Sequence, residues 1–293
     1  MGAMTVAGLW GTRDWRLDLL THFRMQYYVC FLLATIFLLY TRRWASLSIA
    51  LVFLVWNGWM IFNLPANTKP IPGKPVYKAI AFNVLAHNNQ VAEFRKWVLE
   101  EDPDILACVE ATYTQNPLWE ELDLRYPYSE LRQRGGGIGI VFFSKYPIRE
   151  LRPQHWPGTG NMPIEVTMPE GPVTFVVMHP QAPGGKREWE WRNRSLKDLA
   201  AYCSRQDTPV ICLGDMNCSP WSPIYRQFIE ESGLRPPDTR VLPRRTWPST
   251  MPLVWTAIDQ FFVSKTIKPL SEWTGPASGS DHYAIGMTFQ VEE

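Results

Sequence analysis

After residue 75, polar side chains that could take part in catalysis stand directly after four apolar runs and directly before a fifth. Side chains at the ends of strands project into the mouth of a fold, where loops and ligands meet. Carboxylates, amides and imidazoles gathered there could bind a cation, hold water and move protons. They are Asn83 after AIAF, Glu110 after DILACV, His179 after VTFVVM, Asp215 and Asn217 after VICLG, and Asp281 and His282 before YAIGMTF.

Two of these positions suggest specific chemistry. Glu110 is a natural ligand for Mg²⁺, which keeps most of its waters and takes one or two protein carboxylates. Asp215 and Asn217 are two residues apart, so a continuing strand would point both to one face, as a base or water-orienting carboxylate and an amide that holds phosphate or water. The alternatives are a strand-end ion pair for Glu110 and an Asx turn for Asp215.

The elements that must position these residues alternate between strands and helices. Short apolar runs predict strands at 76–84, 104–110, 138–144, 163–168, 173–178, 209–213, 257–263 and 283–289, and helical patterns lie near 90–100, 116–122, 186–204 and 223–230. This count favours an α+β, four-layered sandwich of two packed, mainly antiparallel sheets flanked by helices.

Residues 25–64 predict a transmembrane helical hairpin. Residues 25–41 and 44–64 carry no charge, and only Arg42 and Arg43 separate them. As helices they reach about 25 and 31 Å, against a hydrocarbon core of about 30 Å. A signal peptide fits less well, because the apolar stretch starts late, occurs twice and lacks an A-x-A site. The predicted division is an N-terminal segment 1–24, the hairpin, a Pro-rich linker 65–75 that separates membrane from globule, and a catalytic domain 76–293.

Charge and cysteine content exclude several classes of protein. Seven basic and 2 acidic residues precede residue 76, and 22 basic and 26 acidic residues follow, so the two parts carry +5 and −4. A domain of charge −4 cannot hold polyanions through a broad basic surface; it would need local contacts and a bound cation. The five cysteines form no CxxC pair, which excludes zinc-finger and thioredoxin-like sites.

Six short motifs follow one another along the chain after residue 75. They are FNV at 82–84, ILACVE at 105–110, MHP at 178–180, GDMN at 214–217, IDQFFVS at 258–264 and SDH at 280–282. In this order they resemble the motifs of the endonuclease/exonuclease/phosphatase superfamily, which has the deoxyribonuclease I-like fold. The N-terminal LDLLTHFRMQY followed by two apolar runs is similar to the membrane-anchored bacterial branch of that superfamily, in which another span often precedes this segment.

The resemblance implies a metal-dependent phosphoric ester hydrolase. It implies that His179 donates to the scissile phosphate or leaving group, and that Asp259 orients His282. Glu110 with Asn83 and Asp281 would form the metal side of the site, for Mg²⁺ with Mn²⁺ as the alternative. Whether Asp215 or His282 is the general base stays open at this point.

The predicted function is a membrane-tethered phosphodiesterase, with nucleic acid, above all DNA, favoured over lipid as substrate. A phospholipid or sphingomyelin-type phosphodiesterase or phosphatase is the alternative, since the hairpin contacts a bilayer. A non-enzymatic membrane adaptor is disfavoured because every acid and histidine of the chemistry is present, and no protein partner can be inferred. Arg187, Arg192 and Arg194 on the long helix could bind flanking phosphates or form a solvated face.

The predicted location is the bacterial inner membrane, with the catalytic domain on the outer side. Arg42 and Arg43 lie in a two-residue turn, where positive charge most strongly stays inside. A plain count points the other way, because six basic residues flank the outer ends of the two spans against two in the turn.

Overall fold

The computed structural model describes residues 1–62, 65, 68–112, 116–133, 139–151, 160–251 and 253–292. Residues 63–64 of the second predicted span, 66–67 of the predicted linker and residue 138 of a predicted strand lie outside this range. The helices are α1 Gly2–Ala7, α2 Trp15–Leu19, α3 Arg24–Tyr40, α4 Trp44–Ile61, α5 Val91–Glu101, α6 Asn116–Asp123, α7 Lys186–Cys203 and α8 Pro223–Ser232. The strands are β1 Tyr77–Asn83, β2 Ile105–Ala111, β3 Tyr128–Gln133, β4 Gly139–Ser144, β5 Ile148–Glu150, β6 Met162–Met168, β7 Gly171–Met178, β8 Val210–Asp215, β9 Asp259–Val263, β10 Ile267–Thr274 and β11 Ile285–Val291.

The strands form two sheets whose central pairs are parallel. The first sheet has the order β10-β11-β1-β2-β4-β3, and the second has the order β5-β6-β7-β8-β9. β1 pairs with β2, and β7 with β8, in parallel; every other described pairing is antiparallel. The carboxyl ends of two neighbouring strands therefore meet at one edge of each sheet.

The sheets pack face to face between two layers of helices. Alternate side chains such as Ala107, Phe142, Phe175 and Phe261 fill the space between the sheets and are fully buried or nearly so. α5 and α6 cover the outer face of the first sheet, and α7 and α8 cover the second. This is the predicted four-layered sandwich, and the fold class is confirmed.

Three strands were not predicted, and all three are edge strands. β3 and β10 are the edges of the first sheet, and β5 is an edge of the second. An edge strand has one partner, so it needs no continuous apolar run and tolerates charge and proline. β3 (YSELRQ) and β10 (IKPLSEWT, with Pro269 and a register shift beside it) carry no such run.

The apolar helices α3 and α4 lie side by side as a hairpin. Phe31 stacks on Phe53 with ring centroids 5.2 Å apart, and Tyr28 meets Phe62 edge-on at 5.4 Å. By length and composition, the helical stretches Trp15–Tyr40 and Trp44–Ile61 are both sufficient to cross a membrane. Apolar side chains such as Leu33, Phe37, Val52 and Val55 are exposed on their outer faces.

The N-terminal helices contact the catalytic domain directly. Asp18 of α2 is buried against α7, and Gln26 of α3 donates to the carbonyl of Trp255 at 2.8 Å. The linker also docks, because Gln290 of β11 pairs with the backbone of Ile71. Polar side chains therefore join both the N-terminal helices and the linker to the domain that follows them.

Candidate active site

The four strand ends named by the sequence converge on one place. Asn83 ends β1 and Glu110 lies near the end of β2, while His179 follows β7 and Asp215 ends β8. Because each pair of strands is parallel and the sheets pack face to face, all four side chains reach the same edge of the sandwich. The start of β9 joins them, since Asp259 is paired in register with Asp215.

Glu110 is held in an unusual backbone conformation. Its φ is +58°, and the pairing of β2 with β4 shifts register between Val109 and Ala111. A bulge re-aims a side chain, and a left-handed non-glycine residue persists only where its surroundings hold it. Here the carboxylate accepts hydrogen bonds from the Asn83 amide at 2.9 Å and the Ala86 N–H at 3.3 Å.

Glu110 also faces His179 across the two sheets. The Nε2 atom of His179 lies 3.4 Å from Oε1 of Glu110, and both side chains are about one-fifth exposed (19% and 23%). Burial raises the pKa of Glu110, but the hydrogen bonds and charge of His179 and the amide of Asn83 outweigh it and lower the pKa to about 2. Glu110 is therefore an ionised carboxylate that solvent can reach.

Asn83 joins the two halves of the site. Its Oδ1 accepts from the Leu85 N–H at 3.1 Å, which turns Nδ2 towards the centre. Nδ2 lies 2.9 Å from Glu110, 3.2 Å from Asp215 and 3.4 Å from Nε2 of His282. The structure thus presents an amide donor to the carboxylates, while the amide oxygen is taken up by the backbone.

Asp215 and Asn217 come together through a turn. The strand ends at Asp215, and Asn217 has a φ of +52°, so continued strand geometry does not bring them to one face. The Asn217 N–H donates to Oδ1 of Asp215 at 2.8 Å, which is an Asx turn. The Asn217 side-chain amide donates to Oδ2 of Asp215 at 3.2 Å and to the Pro180 carbonyl at 3.1 Å.

His282 lies between two buried carboxylates. Its Nδ1 is 2.9 Å from Oδ2 of Asp259, and its Nε2 is 3.8 Å from Oδ2 of Asp215. Burial lowers the pKa of His282, but Asp259 and Asp215 raise it by more, to about 10. The pKa of Asp215 is raised to about 6. Burial is the largest cause, and repulsion by Asp259 adds to it, whereas the positive charge of His282 lowers this pKa.

Asp281 is hydrogen-bonded to Trp247 through one of its carboxylate oxygens. Its Oδ2 accepts from Nε1 of Trp247 at 2.9 Å, and its Oδ1 is buried without a partner among the described residues. No contact described for Asp281 joins it to Asn83 or Glu110. Its neighbour Ser280 is closer to the chemistry, because the hydroxyl donates to the Asn83 carbonyl at 2.7 Å and accepts the His282 N–H at 3.0 Å.

Two supports of His179 were missed by the sequence analysis. Asn161 is buried, accepts the His179 N–H at 3.2 Å and donates to Ser195 at 2.9 Å. Gly160 passes so close that a Cβ there would lie 1.4 Å from the His179 carbonyl oxygen. In the sequence, the pair Gly160 and Asn161 directly before β6 was the feature that could have indicated them.

The donor set fits a hard divalent cation. Ligand atoms of Asp215, Asp259 and His282 lie within 4.8 Å of one another, and the ionised Glu110 lies at the open side. Carboxylate oxygens are the ligands that Mg²⁺ and Mn²⁺ take from proteins. His282 and Asp259 already satisfy each other, so Glu110 is the carboxylate best placed to accept an additional ligand.

Comparison with known proteins agrees with this arrangement. The model of the Endonuclease/Exonuclease/phosphatase family matches residues 80–282. No curated protein matches the chain in sequence. Three similar solved structures, all 16% identical, are D. rerio TDP2 complexed with single strand DNA product (TM-score 0.59; 74% of this chain, 99% of that chain), beta toxin from Staphylococcus aureus with bound magnesium ions (0.56; 75% and 100%), and an endonuclease/exonuclease/phosphatase from Beutenbergia cavernae (0.56; 74% and 72%).

The family match spans the strand ends that carry every one of the predicted site residues. At 16% identity the solved structures show the fold, and the family model, which matches residues 80–282, shows the family. The chain therefore belongs to the endonuclease/exonuclease/phosphatase family and is a metal-dependent phosphoric ester hydrolase.

Proposed function

We propose that this protein is a membrane-tethered phosphodiesterase that uses Mg²⁺, or alternatively Mn²⁺, to hydrolyse DNA. The observation that carries the proposal is the meeting of Glu110, His179, Asp215 and His282 at one edge of the sandwich. These four polar side chains come from distant parts of the sequence and from both sheets, and the fold brings them to one place. The arrangement supplies a carboxylate for a cation, a proton acceptor and two imidazole donors.

Glu110 is the proposed metal ligand. Its low pKa keeps it ionised at every physiological pH, and its side chain is open to solvent. Asn83 and Asp281 are the proposed companions: Asn83 holds the Glu110 carboxylate through its amide at 2.9 Å, and Asp281 would contribute its unpartnered Oδ1. When bound, the cation supplies positive charge for a nonbridging phosphate oxygen.

Asp215 is the proposed general base. Burial raises the pKa of Asp215 to about 6. A general base is most effective when its pKa lies near the pH at which the enzyme works. Two donors from Asn217 hold the Asp215 carboxylate in one orientation. This favours Asp215 over His282, because a histidine whose pKa is raised to about 10 already carries its proton at neutral pH.

The two histidines are the proposed donors. Asp259 accepts Nδ1–H of His282, so the Nε2–H of its imidazolium is directed to the substrate side, beside Asp215. A positive, fixed donor stabilises charge that develops on a phosphate oxygen. His179, on the opposite sheet and partly exposed, is placed to donate to the leaving oxygen.

DNA is the favoured substrate class. The similar TDP2 structure contains a single strand DNA product. The domain from residue 76 carries a charge of −4, so affinity for DNA must come from the cation and from phosphate contacts at the mouth. We therefore expect cleavage with low sequence specificity and steep salt dependence.

A lipid phosphodiester is the second candidate, and one loop favours it. Met251, Leu253 and Val254 are exposed apolar side chains. They lie beside the apolar helix α3, because Gln26 donates to the carbonyls of Leu253 and Trp255. Exposed apolar side chains next to a membrane helix are suited to entering a headgroup layer.

The tether is proposed to be α3 and α4 in the bacterial inner membrane, with the catalytic domain on the outer side. Arg42 and Arg43 between the helices are the support for this orientation. Alkaline phosphatase and green fluorescent protein, each fused after the last residue, test the side. Phosphatase activity without fluorescence is expected, and the reverse pattern would place the domain in the cytoplasm.

Parallel assays of the full-length protein in detergent test the function. Plasmid DNA, RNA, sphingomyelin vesicles, phosphatidylinositol phosphates and a chromogenic phosphodiester are offered with Mg²⁺ or with EDTA at matched salt. The proposal expects DNA nicking with Mg²⁺ that exceeds the release of phosphocholine from sphingomyelin. Faster lipid hydrolysis would move the substrate to the lipid class, and full activity in EDTA would overturn the mechanism.

A further inference from the structure

An aspartate of the N-terminal segment is built into the catalytic domain. Asp18 of α2 is completely buried. Its Oδ2 accepts from the Arg192 guanidinium at 2.5 Å and from Nε1 of Trp189 at 3.2 Å, and its Oδ1 accepts from the Ser222 hydroxyl at 2.5 Å. Three donors from α7 and from the cap of α8 thus surround one carboxylate, which is more than a surface contact needs.

Arg192 connects Asp18 to the active-site loop. Its side chain is fully buried, so it neither forms a solvated face nor binds flanking phosphates, the two options that the sequence left open. One terminal nitrogen of the guanidinium meets Asp18, and the other donates to the backbone carbonyl of Asn217 at 3.0 Å. The planar guanidinium therefore bridges the N-terminal segment and the loop after β8.

The backbone conformation of Asn217 has to be held by hydrogen bonds such as the one from Arg192. Asn217 is a non-glycine residue with a φ of +52°, a conformation that persists where surrounding contacts hold it. In this conformation its N–H and its side-chain amide both point at the carboxylate of Asp215. The bond from Arg192 holds the carbonyl side of the same residue.

We propose that Asp18 is a positioning residue for catalysis. It fixes Arg192, Arg192 fixes the left-handed backbone of Asn217, and Asn217 orients Asp215. The N-terminal segment, which leads into the proposed tether, is then part of the support of the active site. The inference rests on the proposed function, because it assigns Asp215 the role of general base.

The charge of Asp18 is what makes the link effective. A buried guanidinium that loses its carboxylate is left as an uncompensated charge, which strongly disfavours its buried position. Asp18 is the one carboxylate that the described contacts give to Arg192 as an ion-pair partner. Replacing the carboxylate by an amide of the same shape should therefore release Arg192 from Asn217.

Steady-state kinetics of full-length Asp18→Asn in detergent test the inference. With Mg²⁺ and bis(p-nitrophenyl) phosphate, we expect kcat to fall about 10- to 100-fold with little change in KM, since a misplaced base slows the chemical step more than binding. The matched control is Gln26→Ala, which removes a different contact between the N-terminal helices and the domain, at the carbonyls of Leu253 and Trp255. It should keep the wild-type kcat.

A double-variant cycle separates positioning from a general structural role. In an Arg192→Met background, Asp18→Asn should have no further effect on kcat, because Asp18 acts through Arg192. Losses that simply multiply would overturn the inference. If Asp18→Asn does not fold, Arg192→Lys replaces it: one ammonium nitrogen cannot replace the two guanidinium nitrogens, so the same fall in kcat is expected, and a wild-type kcat would contradict the proposal.

Hydrogen exchange gives a readout that does not depend on the reaction. In Asp18→Asn, or in its replacement Arg192→Lys, the backbone amides of residues 215–218 should exchange faster than in wild type and in Gln26→Ala; unchanged exchange would overturn the inference. A wild-type protein that hydrolyses no phosphodiester would refute the proposed function, and exchange alone would then decide whether Asp18 holds this loop. An active wild type with wild-type kcat in Asp18→Asn would refute only the role of Asp18.

Discussion

Nδ1 of His282 lies 2.9 Å from Oδ2 of Asp259, and both side chains are almost completely buried. The pair fixes the tautomer of the imidazole and leaves Nε2 on the side of Asp215. It joins the loop before β11 to the first residue of β9, and so connects the two sheets at the site. The charge of His282 therefore depends on a residue of the other sheet.

Asp259→Asn should lower the pKa of His282. Burial lowers this pKa, and Asp259 is the strongest of the groups that raise it to about 10, so its loss lets the imidazolium lose its proton at lower pH. The alkaline limb of the kcat profile should move to lower pH, and the maximal rate should fall about 100-fold. An alkaline limb that stays in place would show that His282 is not the donor.

The same pair predicts how stability changes with pH. The folded pKa of His282 is raised above its unfolded value, so the stability that the pair contributes is fully present below about pH 6.5 and is lost as pH rises through about 10. Thermal unfolding in EDTA should therefore show a smaller difference between wild type and Asp259→Asn at pH 10.5 than at pH 6. An equal difference at both pH values would contradict the raised pKa.

Asp215→Asn should lose activity, and its stability relative to wild type should rise with pH. The folded pKa of Asp215 is raised to about 6, so wild type loses stability as pH rises from the unfolded pKa through that value, whereas Asn does not titrate. In EDTA, the melting temperature of Asp215→Asn minus that of wild type should therefore be larger at pH 8 than at pH 4, by about 2–4 °C per kcal/mol. In the presence of Mg²⁺, kcat should fall about 100-fold or more. A difference in melting temperature that is the same at both pH values would contradict the raised pKa.

Gly160→Ala should disturb His179. A Cβ at this position would lie 1.4 Å from the His179 carbonyl oxygen, so the backbone on one side must move. We expect a fall in kcat of about 10-fold or more, since small displacements of catalytic groups are costly. Gly184→Ala is the matched control, because a Cβ there meets nothing within 4 Å. Equal kcat values for the two variants would show that His179 tolerates the shift.

Ser280→Ala should weaken both the fold and the site. The hydroxyl satisfies the buried carbonyl of Asn83 and the N–H of His282, and each unsatisfied buried group costs about 1–3 kcal/mol. Urea unfolding should therefore shift to lower denaturant. Ser271→Ala, which loses an exposed bond to Thr288, should leave the midpoint close to wild type. A similar midpoint for both variants would remove Ser280 from the support of the site.

The layers and the strand-end residues were predictable because they follow from local rules. Runs of apolar residues mark buried strands. A polar residue that ends such a run, as Asn83 or Asp215 does, is expected to lie at the edge of the sheet, where loops and ligands meet. The motif order then made His179 and His282 recognisable. These inferences needed no knowledge of long-range contacts.

The remaining features depend on contacts between distant parts of the chain. The left-handed bulge at Glu110 and the turn at Asn217 are held by tertiary hydrogen bonds, which sequence periodicity does not encode. Asp18 lies in a segment of ordinary composition, and only its burial against Arg192 reveals a role. The direction of Asp281, towards Trp247, likewise follows from a loop whose path no local pattern predicts.

In the proposed mechanism, Glu110 holds the cation on which hydrolysis depends. The most direct measurement is the DNA cleavage rate of full-length wild type and Glu110→Gln as a function of Mg²⁺ added back after EDTA. Glu100→Gln, on the exposed face of α5, is the control. We expect a metal-dependent rate for wild type and the control, and a rate at least about 100-fold lower for Glu110→Gln at saturating Mg²⁺. A Glu110→Gln variant with the wild-type rate and metal response would contradict it.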